Sequence, residues 1–148
     1  ALRDCEVATL VGQLLSLRAN HGDGRFDGPA ELHASVRPTL LRRAIGNLMD
    51  NAERYGAAPF LVKLENAGDA NAARMLIVTV ADHGPGAPDD VLEQLGKPFV
   101  RGDHARGGIG VGLGLSIVRR AAELHGGALE LRNAKDGGFV ATLPITLT

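Results

Sequence analysis

The chain has 148 residues, of which 45% are hydrophobic and 22% are charged, and its formal net charge is −1. This length predicts one domain with a substantial core, and the small net charge provides no general attraction to nucleic acid or to an anionic membrane. The single cysteine, Cys5, excludes an internal disulfide and is typical of a reducing compartment. No apolar run approaches the ~20 residues that span a bilayer. Because the chain starts at Ala1 without a methionine, we expect it to be part of a longer protein.

Helical and extended patterns alternate in the first third of the chain. Apolar residues at helical spacing predict an amphipathic helix from residue 2 to about 19, which ends at the turn-forming segment 20–24. Two short strands are expected next, at Arg25–Phe26 and Glu31–Val36. A second helix is predicted from Pro38 to about Arg54, since proline favours the first helical turn and the apolar residues that follow share one arc.

Two carboxamides lie at the edge of the apolar arc of this second helix. Asn47 and Asn51 are one turn apart, so they border the buried side instead of opposing it. The pattern is compatible with two polar residues at a helix boundary. It is also compatible with two ligands at a cavity between the helix and a sheet, and only the context of the rest of the chain can favour that interpretation.

A carboxylate ends the most apolar strand of the chain. After a predicted strand at Phe60–Glu65, the segment Met75–Asp82 has the composition of a buried strand, and Asp82 is in phase with its apolar residues because side chains alternate with period two. The turn-forming segment 83–86 follows at once. Asp82 could be a turn former that bonds its own backbone. The alternative is a buried acceptor for a ligand amine, and the exocyclic amino group of adenine would suit it.

The second half contains a glycine-rich stretch before a helix. After a short helix expected from Asp89 to about Leu95, residues 100–112 show no periodic pattern, which is typical of a functional or mobile loop. The glycine-rich run Gly107–Gly114 then leads into a predicted helix from Leu115 to about Leu124. Glycines before a helix N-terminus expose backbone N–H groups, which favours phosphate binding there.

Other nucleotide and metal motifs are absent from the sequence. The one Gly-Lys pair, Gly96-Lys97, is followed by proline and lacks the earlier glycine of a Walker A loop. The five histidines are never three or four residues apart, as zinc sites require. Phosphate binding therefore needs a scheme without a P-loop. The chain ends with a predicted hairpin of two strands, Ala128–Asn133 and Phe139–Thr146.

Four segments in this order resemble the ATP-binding catalytic domain of bacterial sensor histidine kinases, within the superfamily of gyrase, MutL and heat-shock chaperone ATPases. The family names them the N box, the first glycine box, the F box and the second glycine box. They correspond here to residues 47–55, 82–86, 98–102 and 110–115. Each segment alone is a weak signal, whereas the ordered set covers nearly the whole chain. The amino-acid sequence of the F box and of the residues after it looks most like that of the osmosensor-type kinases.

The resemblance implies an α/β fold: a two-layer sandwich of the Bergerat type, with three main helices on one face of a mixed, mostly antiparallel sheet. It implies one catalytic domain over residues 1–148. Within it, residues 1–5 would be the end of a linker from a dimerisation domain, and residues 100–112 would form a lid over ATP.

The resemblance also assigns roles at the site. Asn51 would bind Mg²⁺, and Asn47 and Arg101 would assist at the phosphates as catalytic residues. Asp82 would bind the adenine amino group, and Phe99 would anchor the lid. Val111 stands where relatives usually carry a threonine or serine, so a hydroxyl contact is absent. The full expected ATP-binding set is Asn47, Asn51, Arg54, Tyr55, Asp82, Gly84, Gly86, Phe99, Arg101, Arg106, Gly110, Val111, Gly112, Leu113, Gly114 and Leu115.

The activity implied is transfer of the γ-phosphoryl group of Mg-ATP to a histidine on a separate dimerisation and phosphoacceptor domain, and from there to a response regulator. None of the five histidines has the sequence context of such an acceptor. We expect a cytoplasmic bacterial domain, monomeric alone, in a homodimeric parent anchored in the inner membrane. The alternatives are an ATP-sensing module without transfer activity, an anti-sigma-factor serine kinase of the same superfamily, and a gyrase- or MutL-like ATPase fragment.

Overall fold

The computed structural model describes residues 2–18, 24–55, 59–67, 74–86, 111–135 and 137–147. None of the helices in these ranges is both long and apolar enough to cross a membrane. The elements follow in the order β1 (Arg3–Glu6), α1 (Val7–Ser16), β2 (Gly24–Asp27), β3 (His33–Val36), α2 (Pro38–Tyr55), β4 (Phe60–Ala67), β5 (Arg74–Ala81), α3 (Val111–Leu124), β6 (Glu130–Asn133) and β7 (Phe139–Leu147).

The main sheet has five strands in the order β2-β4-β5-β7-β6. β2 runs parallel to β4, and the other neighbouring pairs of this sheet are antiparallel. The register of the central strands places Val80 opposite both Val62 and Ala141. The predicted mixed, mostly antiparallel sheet is confirmed, as is the terminal hairpin, in which Asn133 lies opposite Phe139.

One face of this sheet packs against the helices. Alternate residues of β4, β5 and β7 are buried, as expected for strands with one covered face, and they join the apolar sides of all three described helices in a single core. The two-layer sandwich is therefore confirmed. The largest buried side chains of that core include Leu41, Ile45, Met49, Phe60, Leu64, Leu76, Leu115, Leu143 and Ile145.

The predicted first helix is wrong at its N-terminal end. Residues Arg3–Glu6 form β1, which pairs antiparallel with β3, and the helix occupies only Val7–Ser16. The segment is polar and four residues long, so its extended conformation depends on the hydrogen-bonding partner that β3 supplies and not on local preference. The assignment of residues 1–5 to a linker stays a prediction, although Arg3, Asp4 and Cys5 belong to a strand.

The third helix begins earlier than predicted, at Val111 instead of Leu115. Glycine in a helix costs about 1 kcal/mol relative to alanine, which is why the sequence favours a later start. The packing of this helix outweighs that cost: Leu115, Val118 and Ala122 are buried in the core. The expected short helix at Asp89–Leu95 and residues 100–110 of the expected lid lie outside the described residues.

Helices α2 and α3 lie antiparallel and are joined near both ends of α3. At one end the Asn47 side chain donates to the Gly114 carbonyl oxygen over 3.4 Å. At the other end the ring of His125, which is 5% exposed, accepts the backbone N–H of Arg37 on Nε2 over 3.1 Å and donates from Nδ1 to the Ala121 carbonyl oxygen over 2.7 Å. The imidazole thus connects the start of α2 to the last turn of α3.

Glu6 joins β1, α1 and the chain before β3. Its carboxylate caps α1 by accepting the backbone N–H and the hydroxyl of Thr9, and it also accepts the backbone N–H of Leu32 over 3.2 Å. Burial raises the pKa of this carboxyl, but the hydrogen bonds from Leu32 and Thr9 outweigh burial, so its pKa lies below the ordinary value. The charged form is therefore the one that stabilises the junction.

We predict that Glu6→Gln lowers the thermal midpoint by a few degrees at neutral pH and that this difference disappears in acid. Because the folded-state pKa is lowered, the contribution of Glu6 is complete above the unfolded-state pKa of about 4.3 and is lost as the pH falls through the folded-state value. Calorimetry of both proteins from neutral pH to about pH 3 tests this. Glu65→Gln, which removes an exposed carboxylate on β4, is the control. A difference in thermal midpoint between the wild type and Glu6→Gln that stays constant over the whole pH range would contradict the prediction.

Candidate functional site

The two carboxamides of α2 lie at the border between this helix and α3. Both Asn47 and Asn51 are half-buried. Asn47 bonds the Gly114 carbonyl oxygen, and a Cβ atom at Gly114 would lie 3.8 Å from the Asn47 Cβ. The Nδ2 atom of Asn51 is buried and has no hydrogen-bond partner among the described residues. A buried amide without a partner costs about 1–3 kcal/mol, so this group fits a site at which a ligand supplies the acceptor.

Asp82 immediately follows β5 and is 7% exposed. It continues the alternation of Leu76, Val78 and Val80, so it lies at the end of the buried, helix-facing row of the strand. Its Oδ1 accepts the backbone N–H of Gly84 over 2.8 Å and that of Phe139 over 3.2 Å. Both backbone donors share one oxygen, so within the described residues Oδ2 is the oxygen left for a ligand donor.

Close backbone contacts keep Asp82 in this position. Asp82 N donates to the Phe139 carbonyl oxygen over 3.1 Å, and at Gly138, where φ is +100°, a Cβ would lie 2.0 Å from the Asp82 carbonyl oxygen. Gly86 also has a positive φ, of +75°, and its Cβ would lie 2.5 Å from the Asn133 Oδ1. These positions require glycine, and they hold the turn after β5 against the β6–β7 hairpin.

The donor and acceptor set fits an adenine nucleotide with Mg²⁺. A buried carboxylate suits an exocyclic amine, and a carboxamide supplies one hard oxygen for Mg²⁺ together with an N–H pair for a phosphate oxygen. In the described ranges no cluster of three or more His, Cys, Asp or Glu residues could hold a metal ion.

Among the described groups the clear pKa shifts belong to β1 and β3. Burial raises the pKa of the Cys5 thiol, and the hydrogen bond to Glu31 raises the pKa of His33. Glu6, with its lowered pKa, belongs to the same small sheet.

The structure describes twelve of the sixteen residues expected at the site, five of them without their side chains. It places Asn47, Asn51, Asp82, Gly84, Gly86, Gly114 and Leu115 as described above, with Leu115 buried beneath the first turns of α3. Arg54 and Tyr55 end α2, and Val111, Gly112 and Leu113 begin α3; the positions of their side chains are not described. Phe99, Arg101, Arg106 and Gly110 lie outside the described residues, so their roles stay predictions.

Two supporting residues were missed by sequence reasoning. Gly138 was read only as part of a hairpin turn, yet it makes room for the Asp82 backbone. Arg18, which follows α1, contacts α2 on the stretch that carries both asparagines. Neither has a local signal in the sequence, because each depends on partners at least 28 positions away.

Comparison with known proteins identifies the family. Residues 36–148 match the family described as "Histidine kinase-, DNA gyrase B-, and HSP90-like ATPase". The signal transduction histidine-protein kinase AfsQ2 of Streptomyces coelicolor is 34% identical over 96% of this chain, and the sensor histidine kinase GtrS of Pseudomonas aeruginosa is 40% identical over 82% of it. The chain spans about a quarter of their length, 26% and 24% respectively.

The fold has a solved counterpart in the histidine kinase domain of the Escherichia coli osmosensor EnvZ. The TM-score is 0.73 at 28% sequence identity, and the match covers 99% of this chain and 89% of that domain. It therefore includes both the small β1–β3 sheet and the helices that carry the site. Together with the family match over residues 36–148, this shows that the chain belongs to the family of histidine kinase-, DNA gyrase B- and HSP90-like ATPases.

Proposed function

We propose that the chain is the catalytic ATP-binding domain of a sensor histidine kinase. It binds Mg-ATP and delivers the γ-phosphoryl group to a histidine on a separate dimerisation and phosphoacceptor domain. The observation that carries the proposal is the buried, unpartnered Nδ2 of Asn51, one helical turn from Asn47 and its contact with α3. The relatives are named as histidine kinases, which supports phosphoryl transfer to a histidine as the reaction.

Two parts of the fold bind different parts of the nucleotide: the residue after β5 binds the base, and α2 binds the metal ion and the phosphates. Asp82, held by Gly84 and Phe139, receives the adenine amino group on Oδ2. Asn51 supplies its oxygen to Mg²⁺ and its amide hydrogens to a phosphate oxygen, while Asn47 keeps α3 close to the phosphates. Mg²⁺ bound there would neutralise charge that develops on the transferring group.

Transfer itself requires the acceptor domain. A neutral imidazole nitrogen of the acceptor histidine forms the N–P bond as the bond between the γ-phosphorus and the bridging oxygen breaks, and ADP leaves with that oxygen. The other ring nitrogen then releases its proton to a carboxylate beside the acceptor. Imidazole suits this role because its ordinary pKa of about 6.5 leaves it largely neutral at pH 7. Arg101 and Arg106, expected on the lid, would face the phosphate chain.

The same proposal extends to the parent protein. We infer that it is a homodimer anchored in the bacterial inner membrane, with this domain on the cytoplasmic side and a response regulator as the final phosphoryl acceptor. The relatives support this through their names as sensors and through their length, about four times that of this chain. An ATP-sensing module without transfer activity is the main alternative.

Asn51→Ala is predicted to abolish Mg²⁺-dependent ATP binding, because it removes both the metal-facing oxygen and the phosphate-facing amide. Titration calorimetry with ATP, in the presence and absence of Mg²⁺, measures this. The matched control is Asn66→Ala, which removes an exposed asparagine of β4. Unchanged affinity in Asn51→Ala would show that the assignment of this residue is wrong.

Asp82→Asn is predicted to weaken ATP binding about tenfold to a hundredfold, as expected for loss of a hydrogen bond to a charged group. The amide oxygen can still accept from Gly84 and Phe139, so the fold is retained, but the group facing the adenine amine becomes a donor. Affinities for ATP and GTP are compared, with Asp27→Asn on the exposed side of β2 as the control. An equal loss for both nucleotides would argue against adenine recognition by Asp82.

The transfer reaction is tested by mixing this domain and γ-labelled ATP with a dimerisation domain that carries an acceptor histidine. We expect acid-labile label on the acceptor, as a phosphohistidine requires, and none when its histidine is replaced by alanine. Asn51→Ala should eliminate the label. Tight ATP binding without any labelling would favour the ATP-sensing alternative.

A further inference from the structure

Arg18 contacts the helix that carries both asparagines. It follows α1, and its side chain is only 15% exposed. Nη2 donates to the Gly46 carbonyl oxygen over 3.0 Å, Nη1 lies 3.0 Å from Glu53 Oε1, and Nη1 also bonds Asp50 Oδ1. Gly46, Asp50 and Glu53 are spaced four and three residues apart, so they form one side of α2.

The two carboxylates bracket Asn51 in the sequence. Asp50 precedes it and Glu53 follows by two positions, whereas Asn47 and Asn51 occupy the neighbouring side of the helix, toward α3. Since an α-helix with its side chains is about 10–12 Å wide, both negative charges lie on the order of 10 Å from a ligand at Asn51. At that distance an uncompensated charge still acts on a bound polyphosphate, especially at low salt.

We propose that Arg18 raises the affinity for the triphosphate by offsetting part of the negative charge of the Asp50–Glu53 pair beside the phosphate site. This rests on the proposed function, because it assumes a nucleotide at Asn51. The guanidinium supplies one positive charge against two negative ones, and its fork is oriented by the Gly46 carbonyl oxygen, which holds it against α2. Arg18 thus acts through the electrostatic potential at the site and does not touch the nucleotide.

An electrostatic role has a signature that a structural role lacks. If Arg18 only held α1 against α2, its loss would weaken adenosine, ADP and ATP to a similar extent. If it compensates charge, the loss increases with the number of phosphates and shrinks as salt screens the interaction. When Arg18 is absent, neutralising the two carboxylates should also restore the affinity for ATP, although the ion pairs are gone.

The experiment measures Kd values for adenosine, ADP and ATP with Mg²⁺ at low and high salt. For Arg18→Ala we expect ATP binding about two- to tenfold weaker at low salt, a smaller loss for ADP and none for adenosine. The variant Arg18→Ala/Asp50→Asn/Glu53→Gln should return to wild-type ATP affinity within about twofold. The control Lys63→Ala removes the same unit charge from the other face of the sheet and should leave all three affinities unchanged.

If Arg18→Ala fails to fold, a variant that retains Arg18 still tests the inference. Asp50→Asn/Glu53→Gln keeps the bond to Gly46 and leaves the guanidinium uncompensated, so ATP should bind more tightly than to wild type. Equal losses of affinity for adenosine and ATP in Arg18→Ala, or no recovery of ATP affinity in the triple variant, would overturn the inference about Arg18. Neither result would refute the proposed function as long as the wild type binds Mg-ATP. Absence of Mg-ATP binding in the wild type would instead refute the proposed function.

Discussion

The antiparallel contact between α2 and α3 is the constraint on which the candidate site depends. α2 carries Asn47 and Asn51, α3 follows the glycine-rich stretch, and the two helices are joined by Asn47 with Gly114 at one end and by Arg37 with His125 at the other. The core between them contains Leu115, Val118 and Ala122. Because both ends of α3 are bonded and its middle is packed, neither helix can slide along the other without losing these part-buried hydrogen bonds.

The strand side of the site depends on a different kind of support. Asp82 is oriented by backbone N–H groups of Gly84 and Phe139, and its own backbone bonds the Phe139 carbonyl oxygen. The carboxylate of Asp82, proposed to bind adenine, is thus fixed by sheet geometry, whereas Asn47 and Asn51, proposed to act at the phosphates, are placed by helix packing. The two halves of the proposed nucleotide site therefore have separate supports, so a change in one support need not disturb the other.

Much of the fold could be predicted from the sequence, because its larger elements have strong periodic patterns. α2, β5 and the terminal hairpin are where the periodicity places them, and Asn47, Asn51 and Asp82 occupy half-buried or buried positions suited to ligands. β1 could not be predicted, since a four-residue segment with three charged residues becomes a strand only when β3 pairs with it. The bonds of Arg18 and His125 join residues up to 88 positions apart, and no local pattern encodes such contacts.

The two bonds between α2 and α3 have a further consequence for how this family can change in length. Arg37 and Asn47 are ten positions apart, Gly114 and His125 are eleven, and at 1.5 Å per residue these distances are about 15 and 16.5 Å. A one-residue deletion in either helix would shift one bonded group by about 1.5 Å and rotate it by about 100° about the axis. An insertion or deletion between these positions in one helix should therefore persist in evolution only together with an equal change in the other helix. Other changes in chain length should be confined to the connections outside these positions.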